Sequence, residues 1–210
     1  MLAARALDSL VRTRYGDSLV IVEWHPYSDD SLNINPDDSL RVARYQHNPG
    51  QPSLVLDGYI EVAIPAEPGL YFSAFDDAIQ NVKSDASYFM LDARGEADSA
   101  TGRVVITLAA DSIAPGTSPT LYCIVAEDSL TDALGAAYFR VPTQLVPDRN
   151  GLPVSLARGD TLVDTLEFST AGRRLDMLGA AVFVEDANGT ADHRVLQSAT
   201  IKRFTLMEEK

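Results

Sequence analysis

A single cysteine, Cys123, in a chain of 210 residues excludes an internal disulfide, a dithiol redox pair and any multi-cysteine zinc site. Basic residues are also scarce, 17 against 30 acidic ones, for a net charge of −13. That balance, with no Lys/Arg run, argues against a general nucleic-acid binder, because phosphate neutralisation needs clustered cations. Long apolar runs are missing as well. None approaches the roughly 18–20 residues a membrane-spanning helix requires. The first twenty residues do not read as a signal peptide either, since Arg5, Asp8, Arg12 and Arg14 interrupt any apolar stretch. A cytosolic protein or a trimmed chain are the two readings this leaves. What is present, 46% hydrophobic and 22% charged residues, suffices for a sizeable core.

The patterning changes near residue 85. Before it, Ala3, Leu7, Leu10 and Val11 fall on one stripe of a helix, with Gly16 at a left-handed cap position. Ser18 to Trp24 (SLVIVEW) is a nearly continuous apolar run and predicts a strand buried on both faces. Asn35 can cap a second helix that Pro36, Asp37 and Asp38 open, with Arg44 and His47 near its end and Asn48-Pro49-Gly50 stopping it. Ser53 to Leu56 and Tyr59 to Ile64 read as strands joined at Asp57-Gly58, a hairpin turn signal. Pro68 opens a third helix whose apolar face is Tyr71, Phe75, Ala78, Ile79 and Val82.

After Asp85 the period becomes two. Val104, Ile106 and Leu108 share one face, and Leu121, Cys123 and Val125 share one face of the next run. Further strands are expected over Ser87–Arg94, Ala137–Val141, Thr161–Phe168, Met177–Val184 and Arg194–Phe204. Turn signals fall between them at Pro115-Gly116, Asn150-Gly151, Arg158-Gly159 and Asn188-Gly189. Seven or eight short strands without a helix predict an antiparallel, immunoglobulin-like β-sandwich. The fold class is therefore α/β plus all-β, with residues 1–85 as one domain, 86–210 as the other and the boundary in Lys83–Ser87. The recurring tripeptide DSL has no fixed period and marks no repeat.

The order helix, buried strand, helix, Pro-led strand, hairpin, helix resembles a thioredoxin-like fold that lacks its beginning. GQPSLVLDG (Gly50 to Gly58) looks like that fold's proline-led strand, which makes Pro52 the candidate cis-proline by resemblance. The segments VIVEWHPYSDD, RVARYQHNPGQPSLVLDG and AAVFVEDANGTADHRVLQSA are similar to the twenty-eight-kilodalton outer-membrane-protein-related family of Bacteroidetes-like bacteria. That resemblance implies a thioredoxin-like domain joined to a β-sandwich in an exported envelope protein, at the outer membrane or cell surface. It departs from the thioredoxin-like pattern at one decisive point: the strand and Cys-x-x-Cys before the first helix are absent. Dithiol exchange needs an attacking thiolate and a resolving partner, and this chain offers neither pair.

Other motifs read as structural. Gly16-Asp17-Ser18-Leu19 spells a serine-esterase signature, but Ser18 precedes its strand, and Asp192-His193 lacks the Asp-x-x-His spacing. His25, His47 and His193 show no metal spacing, so His47 is read as a helix-end residue and His25 as loop-facing rather than as a shared zinc site. Asp29, Asp30, Asp37 and Asp38 lack an EF-hand pattern and read as solvated loop and helix start. Trp24, Tyr27, Tyr45 and Tyr59 are candidates for a groove or for half-buried positions at the domain junction. Cys123 reads as a small apolar core residue.

The expected function is thus a non-catalytic envelope or surface protein that binds or presents a protein or envelope partner. No cofactor, metal or catalytic residue is assigned. The alternatives are a thiol-disulfide oxidoreductase whose Cys-x-x-Cys segment is missing from this chain, and a serine esterase using Ser18. A sheet lacking a central strand predicts one of three outcomes. The strand at Ser18–Trp24 closes on the Pro52-led strand, another segment or chain inserts between them, or the first helix covers the gap. Insertion by a neighbouring chain would make a homo-oligomer by strand exchange.

Overall fold

The computed structural model describes residues 2–27, 29–35, 37–45, 54–83, 86–112, 116–187 and 193–207. Pro52, His47 and Asp192, with the turn signals Pro115 and Asn188-Gly189, lie outside the described residues.

Helix α1 (Leu2–Leu10) continues into a wider π turn over Val11–Tyr15 and a 3-10 turn over Gly16–Ser18. Gly16 takes φ 56°, as a left-handed break requires, but the chain winds on to Ser18 before it straightens. Helix α2 spans Asp38–Tyr45, within the stretch expected for it, and the Asn35 side chain accepts the Asp37 N–H at 3.1 Å. Strands β1 (Leu54–Leu56) and β2 (Ile60–Val62) form a hairpin, with Asp57 and Gly58 both at positive φ. Helix α3 (Tyr71–Val82) follows a 3-10 turn that Pro68 opens. Leu10, Tyr15, Leu56, Phe75 and Ile79 are the centre of a small core joining α1, α3 and the hairpin.

The remaining strands are β3 (Phe89–Ala97), β4 (Thr101–Ala110), β5 (Pro119–Glu127), β6 (Leu130–Thr131), β7 (Ala137–Tyr138), β8 (Val141–Val146), β9 (Leu152–Pro153), β10 (Thr161–Ser169), β11 (Leu178–Asp186), β12 (Val195–Ile201) and β13 (Thr205–Leu206). One sheet has the order β10-β4-β3-β13, the other β12-β11-β5-β8 with β9 on β5. All pairs are antiparallel except β13, which runs parallel to β3. Val104, Ile106 and Leu108 meet Leu121, Cys123, Val125 and Val182 in one large core that takes side chains from both sheets.

Three expectations are corrected. Ser18–Trp24 is not a strand: Leu19 is extended (φ −125°, ψ 113°), but residues 19–27 join no sheet. The apolar run is accounted for by packing instead. Leu19 enters the helical core, while Val20, Val22 and Trp24 lie on the outer face of the second sheet. For the same reason β5 is buried on both faces, where a one-faced alternation was expected. Ala137–Val141 is not one strand but splits into β7 and β8 at Arg140, whose φ of 56° breaks the run and whose N–H donates to Asp128 at 2.9 Å.

Candidate functional site

The outer face of the second sheet carries Tyr122, Ile124, Leu145, Ala181 and Phe183, an apolar surface that a lone sheet would leave wet. The α1–hairpin–α3 layer covers it incompletely. Between the two lies a cleft of about 800 Å³. Leu7, Val11 and Phe75 line it on the helical side, and Ile124, Phe183 and Val195 on the sheet side. Leu19–Trp24 and Leu54–Leu56 form its flanks. Arg12, Arg140, Lys202 and Arg203 stand at the rim and are held by acids: Arg12 by Asp8 at 2.8 Å, Lys202 by Asp17 at 2.5 Å, Arg140 and Arg203 by Asp128 at 3.5 and 2.8 Å.

A buried polar cluster closes one end. Glu185, on β11, is fully removed from solvent. Its carboxylate accepts from Arg41 at 3.1 Å and from the Tyr45 hydroxyl, both on α2, with Arg44 at 3.5 Å and His193 Nδ1 at 3.5 Å. The Arg41 guanidinium lies over Tyr122 at 4.2 Å, with Tyr45 and Phe183 at 5.1 and 5.6 Å, so aromatic faces solvate a cation that water does not reach. Burial pushes the Tyr45 hydroxyl well above its ordinary range, and the nearby carboxylate adds to it. Such a cluster fixes orientation, because a buried ion pair is costly in any arrangement that separates it.

The hairpin tip forms the adjoining contact. Val195 donates its N–H to the Asp57 carbonyl at 2.7 Å, tying the turn to β12. A Cβ on Gly58 would sit 2.0 Å from the His193 carbonyl oxygen, so no other residue fits there.

The residues singled out in the sequence are scattered rather than gathered. Ser18 is exposed, and it has no hydrogen-bonded base among the described residues. His25 is not loop-facing: it is buried, with Nδ1 2.8 Å from Asp30 and its ring edge-on to Tyr138 at 5.0 Å. Burial raises the Asp30 carboxyl, but hydrogen bonds from His25 and the Leu32 N–H outweigh it, and the net shift is downward. His193 belongs to the Glu185 cluster, far along the chain from His25. Among the described residues no group of three His, Cys, Asp or Glu could hold a metal ion. Cys123 is fully buried, which pushes its thiol up to about 12. Of the four aromatics, Trp24 and Tyr45 line the cleft, Tyr27 is exposed and Tyr59 carries Arg194 over its ring at 5.3 Å. Glu185 and Arg41 were not anticipated. The available signal was an acid closing the apolar run AAVFVED and two arginines three apart on α2, Arg41 and Arg44.

No family model matches the chain, and no curated protein does. Solved structures do. HBP35 of Porphyromonas gingivalis aligns with TM-score 0.68 at 10% identity over 82% of this chain and 59% of its own. At that identity the likeness shows the fold alone, and the chain spans about three-fifths of that neighbour's length. A domain of the outer membrane lipoprotein Omp28 from Porphyromonas gingivalis aligns over 59% of this chain and 93% of its own, at TM-score 0.43 and 11% identity, too distant to argue from. No helix among the described residues is long and apolar enough to cross a membrane.

Proposed function

We propose that the chain is a non-catalytic binding module of the bacterial cell envelope, a thioredoxin-like layer set on an immunoglobulin-like β-sandwich, and that the cleft between them takes an apolar ligand. The cleft carries this reading: about 800 Å³ of space between apolar walls, of the size and lining of a ligand site. Placement in the envelope family and outside the cytoplasm is supported by the sequence resemblance, and the arrangement of the layers by the fold likeness to HBP35. The non-catalytic reading is supported by the position of Cys123 inside the core and of Ser18 at an exposed turn.

A solvatochromic naphthalene-sulfonate dye tests the cleft directly. Saturable binding is expected, with quenching of Trp24, the single tryptophan, which lines the cleft. Ser198→Trp, which fills the space from β12, is expected to weaken dye binding at least tenfold in a protein that still melts cooperatively. Equal binding by that variant would remove the cleft as the site.

A further inference from the structure

An end strand of a sheet presents a row of main-chain groups that another strand can pair with, so folded proteins block such edges. Three of the four strands that end the two sheets, among the described residues, carry a visible obstacle. Strand β13 is two residues long. Strand β8 contains Pro142, and its register on β5 shifts between Val125 and Ala126. The register of β12 on β11 shifts between Val184 and Glu185. Strand β10 is different. It runs for nine residues along β4, from Thr161 opposite Ala109 to Ser169 opposite Thr101, with no shift, no proline and no lysine.

The hydrogen bonds just beyond its two ends show which groups point outward. Ala110 donates to the Asp160 carbonyl at 3.0 Å and Thr170 donates to the Ala100 carbonyl at 3.1 Å. Even-numbered residues are therefore the ones bonded to β4. The odd ones, Thr161, Val163, Thr165, Glu167 and Ser169, turn both N–H and C=O to the open edge. Val163 is 64% exposed. On the inner face the row is Leu162, Asp164, Leu166 and Phe168, with Leu162, Leu166 and Phe168 in the large core. Asp164 breaks that row. Half-buried opposite Ile106, it turns its Oδ1 to accept the Thr165 N–H at 2.8 Å, and so covers the middle donor of the edge.

We infer that Asp164 is a guard that keeps the β10 edges of two copies of this chain from pairing. No residue of β10 lines the cleft, so the guard is independent of the ligand reading. The antiparallel register that overlaps all nine residues sets Thr161 opposite Ser169, Val163 opposite Glu167 and Thr165 opposite itself on the two-fold axis. On the inner face Leu162 then meets Phe168, and Asp164 meets Leu166. No like charges lie directly opposite in this register, which is why a second copy is the partner the edge fits. Asp164 alone spoils it. The axial pair must exchange the very N–H that the carboxylate holds, and each copy brings its own carboxylate to within one residue of the axis. Like charges brought together across a strand pair oppose association.

Sedimentation equilibrium of the full chain, with amide exchange, tests the guard. Asp164→Val restores an unbroken apolar inner row and frees the Thr165 N–H. It is expected to lower the dimer dissociation constant by about tenfold or more. Amides of the odd residues from 161 to 169 should become slower to exchange as protein concentration rises. Adding Thr165→Pro removes an outward donor without touching the ladder to β4, and should return the double variant to the wild-type level. Asp164→Thr, also uncharged, replaces the valine variant if that one does not melt cooperatively.

A cooperatively melting, uncharged variant that associates no more than the wild type would overturn the guard. So would association that leaves the odd β10 amides unprotected or that Thr165→Pro does not reverse, since the contact would then lie elsewhere. A wild type that already pairs through β10, with those amides protected, would show that the edge is not guarded at all.

Discussion

Arg41 of α2 and Glu185 of β11 meet at 3.1 Å with their side chains 2% and 0% exposed, joining residues 144 apart in sequence. Around them Tyr45 donates to the same carboxylate and Tyr122 stacks on the guanidinium. Helix α2 is thereby anchored to the second sheet by charge and ring contacts as well as by apolar burial. Removing Glu185 strands the Arg41 charge without solvent, whereas removing Arg41 leaves Glu185 with Arg44 at 3.5 Å and the Tyr45 hydroxyl. Glu185→Leu alone is expected to cost about 3–5 kcal/mol. The double change Arg41→Met with Glu185→Leu should recover most of that loss, because no isolated charge remains between these two positions. Urea unfolding of the wild type, both single variants and the double variant measures the coupling. Additive losses would show that the pair does not hold the two layers together.

Gly58 is constrained twice, by its φ of 75° and by the His193 carbonyl that a Cβ would strike at 2.0 Å. Gly58→Ala cannot be absorbed by rotating a side chain, since the two nearest atoms belong to the His193 backbone. A loss of about 1–3 kcal/mol is expected, the range for a strained backbone position. The hairpin tip should also detach from β12, breaking the bond from Val195 to Asp57. Amide exchange at Val195, faster in the variant while β3 and β4 stay protected, separates this local opening from general destabilisation.

The second sheet's outer face makes a prediction about the boundary. Residues 86–207 contain both sheets and the whole shared core, so this fragment is expected to fold with a strand-type circular dichroism spectrum. It should nevertheless expose Tyr122, Ile124, Leu145, Ala181 and Phe183, which Val20, Val22 and Trp24 cover in the whole chain. Non-saturable dye binding beyond that of the whole chain, and stronger self-association, are the expected signs. Replacing Ile124 and Phe183 by threonine should suppress both while keeping the strand spectrum. A fragment without that spectrum would show that the amino-terminal layer is required for the sheets to form.

Local periodicity made most of the elements legible in the sequence. The stripe through Phe75 and Ile79 marked α3, Asp57-Gly58 marked the hairpin, and Val104, Ile106 and Leu108 marked the inward face of β4; each lies where its pattern places it. Failures came where partners are distant. SLVIVEW has the composition of a paired strand, yet whether a run finds hydrogen-bonded neighbours depends on the rest of the fold. Here its apolar side chains are partly buried while residues 20–22 make no main-chain hydrogen bond among the described residues. The site was less legible still. Its cleft is formed by segments from residues 3 to 203, and its anchor joins Arg41 to Glu185 across most of the chain. Neither residue type nor spacing announces a contact of that range, and an acid at a strand end ordinarily reads as solvent-facing.

Glu23 supplies a prediction with a definite sign. It lines the cleft, and its carboxylate accepts the Phe139 N–H at 3.2 Å. Burial raises its pKa, and the Phe139 hydrogen bond, acting the other way, does not offset that. A carboxyl whose pKa is higher in the folded protein than in the unfolded chain opposes folding when charged. The penalty is complete above the folded value and fades as pH falls through it towards the unfolded value of about 4.3. Glu23→Gln keeps the oxygen that accepts from Phe139 and removes the charge. The variant is therefore expected to be more stable than the wild type at pH 7, with the difference shrinking on acidification and gone by about pH 4. Asp30 runs the opposite way, because hydrogen bonds from His25 and Leu32 hold it below its ordinary range. Asp30→Asn should destabilise at pH 7, and that loss should shrink as pH falls through the folded carboxyl's depressed value. Paired urea titrations from pH 3 to 7 read both trends in one series. A Glu23→Gln difference that stayed constant across that range would show that charge burial is not what sets the energy of this position.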